Sequence, residues 1–143
     1  MSAESPREFV DTNVLVYAHD TTAGTRRAGA IELLDRVIRE RTIALSVQVL
    51  QEFFVTVTRK LPRPLAAGDA AAIVADLSAV PTHAPDGRDV LAAIEIHRTF
   101  DVSFWDAMVL RSASQLHCAT LWSEDLASGG TYDGVEVRNP FRA

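Results

Sequence analysis

The sequence predicts an α/β protein, a three-layer α/β/α sandwich around a central parallel sheet. Short apolar runs of strand length alternate with longer stretches whose apolar residues recur at helical spacing. Strands separated by helices pair in parallel, because each crossover returns the chain to the same edge of the sheet. The length of 143 residues, 48% of them hydrophobic, suits one core. No repeat, low-complexity tract or linker divides the chain, so a single domain over 1–143 is expected.

The first strand is Phe9-Val10, and Val14 to Ala18 resumes the apolar pattern as a helix after Asp11. The polar break Thr21–Thr25, with Gly24, precedes a helix from about Arg26 to Arg39, in which Ile31, Leu34 and Ile38 share a face. Ile43-Ala44-Leu45 is a second strand. Ser46 is placed to cap a helix in which Val47, Leu50, Phe54, Val57 and Leu61 form an apolar stripe, and Pro62 and Pro64 end it. Two more helices, Gly68–Ser78 and Asp86–His97, flank a segment bounded by Pro81 and Pro85. Ser103 caps a helix reaching about His117. Ala119–Trp122 and Val135–Val137 are the last strands, the latter after the Gly129-Gly130 and Asp133-Gly134 turns.

Composition narrows the function classes. No apolar run reaches the roughly 18 residues of a membrane span, and Met1 to Glu8 is too polar for a secretory signal. Cys118 stands alone, which excludes an internal disulfide and a C-x-x-C pair. A cytoplasmic location is the expectation. The net charge of −5 argues against a broad basic face for nucleic acid. The 13 Arg against one Lys, however, favour bidentate phosphate contacts where they occur.

In parallel α/β sheets the ligand site lies beyond the carboxyl ends of the strands. Asp11 follows the first strand directly, and Ser123-Glu124-Asp125 follows Ala119–Trp122 in the same way. Each Asp could equally cap the helix or turn that follows. Asp106 sits on a face with Val109, Leu110 and Ala113, where an acid is costly unless paired or metal-bound. Ser103-x-x-Asp106 is also close to a capping box. Glu52 lies almost opposite its helix's apolar stripe, beside Gln48, Thr56 and Arg59, as on a solvated face.

Carboxylates without His or Cys make a hard, all-oxygen site suited to Mg²⁺ or Mn²⁺, and such a site favours phosphodiester hydrolysis. His19, His83, His97 and His117 form no ligand pair, and Cys118 reads as core. Dinucleotide and Walker motifs are absent, and neither Ser103 nor Ser123 sits in a nucleophile elbow.

Four stretches in order resemble the PIN-domain family: Phe9-Val-Asp-Thr-Asn-Val-Leu-Val-Tyr-Ala18, Ser46-Val-Gln-Val-Leu-Gln-Glu-Phe53, Ser103-Phe-Trp-Asp-Ala-Met108 and Leu121-Trp-Ser-Glu-Asp-Leu126. The closing Gly134-Val-Glu-Val-Arg-Asn-Pro-Phe141 is similar to that of the VapC-like toxins of bacterial toxin–antitoxin pairs. The resemblance implies a metal-dependent endoribonuclease with Asp11, Glu52, Asp106 and Asp125 as its acidic quartet. Asp11, Asp106 and Asp125 would hold Mg²⁺, and Glu52 a second ion or a water. Thr12 and Ser123 would support the site by hydrogen bonding, while Glu124 stands where the family varies. It further implies an RNA substrate, a homodimer and a cognate antitoxin covering the acidic cleft. Arg111 is the candidate for a basic rim. The rival readings are an RNA-processing nuclease without a toxin role, an acid-pocket phosphatase, and a non-catalytic module whose acidic pocket receives a basic partner. The phosphatase reading lacks an Asp-x-Asp after the first strand, and the sole lysine is Lys60.

Overall fold

The structure, a computed structural model, describes residues 5–126 and 128–142. The polar start Met1–Glu4 lies outside them. The elements run β1 (Arg7–Val10), α1 (Thr12–His19), α2 (Thr25–Arg39), β2 (Ile43–Ser46), α3 (Val47–Arg59), α4 (Ala67–Leu77), β3 (Thr82–His83), α5 (Gly87–Phe100), α6 (Phe104–Gln115), β4 (Cys118–Trp122), β5 (Thr131–Tyr132) and β6 (Val135–Arg138). They form one six-stranded sheet in the order β3-β2-β1-β4-β6-β5. Five strands are parallel, and β5 pairs antiparallel with β6.

Burial follows this layering. All four residues of β2 are buried, so both of its faces are covered, whereas β6 alternates buried and exposed. Helix α1 packs on both α2 and α3, α3 packs on α4, and α5 packs on α6, which lies against β2, β4 and β6. One continuous core results, with Phe9, Leu15, Leu45, Phe53, Leu110 and Leu121 fully buried.

Local chemistry sets the boundaries. Ser46 caps α3 by accepting from Val49 N at 3.3 Å. Asp86 and Asp89 complete a reciprocal capping box at the start of α5. Asp133 and Gly134 both have positive φ (50° and 82°), as a two-residue primed turn between strands requires.

Three expectations change. The stripe on α3 is phased differently: Val49, Phe53 and Val57 are buried, while Val47 and Phe54 are more than a third exposed. That helix carries apolar residues on most of its circumference, so spacing alone admits either phase. The Pro81–Pro85 segment contains the edge strand β3, and the Gly130–Asp133 region contains β5. Both strands are two residues long, too short for an alternation pattern to register.

Candidate active site

Chain topology creates a switch point. From β1 the chain moves outward to β2 and β3, then crosses back to lay β4 on the other side of β1. The carboxyl ends of β1 and β4 therefore lie side by side while their following segments diverge. Such a crevice is where open α/β sheets bind ligands. Val10 pairs with Trp122, and Asp11 N donates to Trp122 O at 3.0 Å, so Asp11 and Ser123 emerge together.

Asp11 is both helix cap and site residue. Its Oδ1 accepts from Thr12 N at 2.7 Å, and its Oδ2 accepts from Ser123 Oγ at 2.8 Å. Asp125 joins through Asn13, whose Nδ2 donates to Asp125 Oδ2 at 3.0 Å and approaches Asp11 Oδ2 at 3.5 Å. Glu52 comes from α3, where Thr12 Oγ1 donates to its Oε2 at 3.3 Å and Gln48 Nε2 to its Oε1 at 2.8 Å. Asp106 stands in the first turn of α6, its backbone N–H bound to Ser103 Oγ at 3.1 Å. The reciprocal half of a capping box, a bond from the Ser103 backbone N–H to the Asp106 carboxylate, is missing, although the Ser103 side chain acts to lower that carboxyl.

The electrostatics tie the acids together. Burial, above all, pushes the Asp11 carboxyl up to about 7, and the charges of Asp125 and Asp106 push it further the same way, against the hydrogen bonds from Ser123 and Thr12. Asp106 is raised by burial and by Asp125. Asp11, Asp106 and Asp125 thus share one field, and Glu52 is linked to it through Thr12. Glu52 and Asp125 are exposed, Asp106 half-buried and Asp11 buried. The site is open to solvent on one side.

A divalent cation fits this donor set. The acids are all oxygen donors, and the excess negative charge is what a hard cation would relieve. Among the described residues no three His, Cys, Asp or Glu side chains close into a ready-made cage.

Two support residues escape sequence reasoning. Asn13 links Asp11, Ser123 and Asp125, and its Oδ1 accepts from Glu124 N at 3.3 Å. Its place two residues after a strand-ending Asp was the available signal. Gln48 joins Glu52 to α6 by donating also to Trp105 O at 3.2 Å. Glu124 points away from the acids: it accepts from Tyr17 Oη and Arg26 Nε, both at 2.7 Å.

Arg111 is not at the rim. Its Nε donates to buried Asp89 Oδ1 at 2.9 Å, tying α6 to α5. Cys118 is buried and its thiol is pushed up to about 12, chiefly by burial, so it is unreactive core.

The family model for the PIN domain matches residues 9–127, which include all four acids. The chain belongs to the PIN-domain family. No curated protein matches its sequence. Several solved structures share the PIN fold at low identity. A toxin–antitoxin complex from Klebsiella pneumoniae is 15% identical with a TM-score of 0.71, covering 95% of this chain and 99% of that one. VapC20 from Mycobacterium tuberculosis, described as a sarcin–ricin-loop cleaving toxin, is 18% identical with a TM-score of 0.63, covering 82% and 89%. DNA-bound VapBC from Salmonella typhimurium is 15% identical with a TM-score of 0.66, covering 95% and 99%. Among the described residues no helix of this PIN domain is long and apolar enough to cross a membrane.

Proposed function

We propose that this chain is a Mg²⁺-dependent endoribonuclease, Mn²⁺ serving in its place, and the toxin of a toxin–antitoxin pair. The observation that carries the reading is the buried, cation-poor Asp11 carboxylate facing Asp106 and Asp125 at the switch point. Asp11, Asp106 and Asp125 would hold the ion, and Glu52 would position water or a second ion. Bound there, the metal would supply an activated water and charge stabilisation on the phosphate. The protein's own share is orientation: Ser123 and Thr12 fix both oxygens of Asp11, and Asn13 holds Asp125 against it.

The toxin assignment and the antitoxin partner are supported by the likeness to VapC and VapBC structures; the homodimer and an antitoxin lying across the acids are carried over from the family resemblance, and the cytoplasmic location from the composition. An open acidic cleft is a natural receptor for an Arg side chain.

The test is cleavage of total cellular RNA by purified, antitoxin-free protein with Mg²⁺ or Mn²⁺, beside Asp11→Asn and an EDTA control. Discrete fragments that vanish in both controls support the nuclease. Absence of cleavage by folded protein that binds the metal leaves the acidic edge as a binding site only.

A further inference from the structure

We propose that the polar strip of α3 is the track for the RNA strand, with Trp105 stacking an unpaired base at one end and Arg59, Lys60 and Arg63 holding backbone phosphates at the other. The inference rests on the ribonuclease reading and gives its substrate a form: single-stranded where it crosses the acids.

Trp105 is 65% exposed, unusual for the largest apolar side chain, and sits immediately before Asp106. It is not loose. The Phe104 ring meets it edge-on at 5.2 Å, and its carbonyl is held by Gln48 Nε2, the same nitrogen that holds Glu52. Gln48 Oε1 is buried without a donor among the described residues. That end of the strip presents a flat, fixed aromatic face to solvent, on which an unpaired base can stack.

The other end is cationic. Arg59 follows Glu52 by two helical turns, on the same face and about 10 Å along the axis. Lys60 and Arg63 continue from it past the helix end. All three are exposed, and none forms an ion pair among the described residues, a property shared with Arg7, Arg27, Arg41 and Arg142 elsewhere in the chain, whereas the other seven arginines are paired. A protein of net charge −5 gains little RNA affinity from its overall field. Stacking and a local cationic patch are the means left to it, and aromatic stacking does not read sequence. Gln48, Glu52, Thr56 and Arg59 share one side of α3, and Trp105 on α6 meets the Gln48 end of that strip through its carbonyl, beside the acidic edge.

The experiment measures binding of a short mixed-sequence oligoribonucleotide by fluorescence anisotropy, unpaired and annealed to its complement, in an Asp11→Asn background with Mg²⁺. Trp105→Ala is expected to weaken unpaired binding about 5- to 100-fold, with Trp105→Phe retaining most of it and the salt dependence unchanged. R59A/K60A/R63A is expected to reduce the slope of log K against log salt by up to about 2, from ~0.7 per phosphate contact. Leu91→Ala, equally exposed at 66% but on α5, serves as the control. Unchanged binding in the Trp105 and triple variants, with total RNA still cut by the wild type, removes this inference alone. Loss of self-association or of binding to a basic peptide, with RNA binding intact, also overturns it by assigning the surface to a protein partner. Failure of the wild type to bind either oligonucleotide removes the ribonuclease reading and this inference together.

Discussion

Asp11 and Asp89 are both almost wholly buried, 4% and 5% exposed, yet their carboxyl groups are driven in opposite directions. Burial raises each one, and the difference lies in what surrounds it. Asp89 accepts from Asp86 N, Arg111 Nε and Gln115 Nε2, and His83 lies 3.4 Å away, so its carboxyl falls well below the usual range. Asp11 has two neutral donors and two anionic neighbours, and rises to about 7. One carboxylate has its cation built into the fold; the other lacks one. A buried acid without a counter-charge is costly, and a fold that keeps one has left a place for a charge from outside.

The largest effect expected from breaking this contrast is on activity. Asp11→Asn should lower RNA cleavage by at least about 10²- to 10³-fold, the size of removing one well-placed electrostatic group. Fold stability should rise with it, because a charge that costs free energy is gone. Asp89→Ala should do the reverse, leaving the half-buried Arg111 without its partner. A loss of about 3–5 kcal/mol, read by denaturant unfolding, is expected. If both substitutions destabilise alike, the distinction between the two carboxylates fails.

The pH dependence sharpens the same contrast. The folded Asp11 carboxyl titrates at about 7 against an ordinary value of 3.8. Its contribution to stability is complete below about pH 4 and is lost as pH rises through 7. Asp89 contributes fully above about pH 4, and that contribution is lost as pH falls toward its lowered folded value. Metal-free protein should therefore lose on the order of a few kcal/mol between pH 5 and 8, a slope that flattens in Asp11→Asn. Millimolar Mg²⁺ should raise the melting temperature at pH 8 and do little at pH 5. A pH-independent melting temperature over that range would contradict the assignment.

The smallest effects belong to the supports. Ser123→Ala removes one donor to Asp11, and Asn13→Ala frees Asp125. Each should cost about 10- to 100-fold in metal affinity or rate, as loss of a supporting hydrogen bond does elsewhere, with about 1 kcal/mol in stability.

Much of this was legible in the chain. Asp11 directly follows β1 and Asp125 lies three residues past β4, and parallel topology sends both segments to one edge of the sheet. Asp106 stayed open, since an acid on an apolar helix face three residues after Ser103 reads equally as half of a capping box. Glu52 was hidden: on its own helix it looks solvated, and its connection runs through Thr12, forty residues earlier. Arg111 misled because its partner lies on a different helix, and no periodicity along α6 reveals Asp89. The phase of α3 was ambiguous because Val47 and Val49 are both apolar, and only the position of the sheet decides between them.

The order in which the sheet is threaded has a consequence for how the protein is made. β1 carries the first acid, but its neighbour β4 and the Ser123 that orients that acid lie 112 residues further on. A chain growing from its N-terminus can form α1 to α4 long before that neighbour exists. Until β4 docks, Asp11 has no Ser123, no Asp125 and no crevice. The chemistry proposed for this edge is thereby withheld from a half-made chain still on the ribosome, one of the richest stores of RNA within its reach.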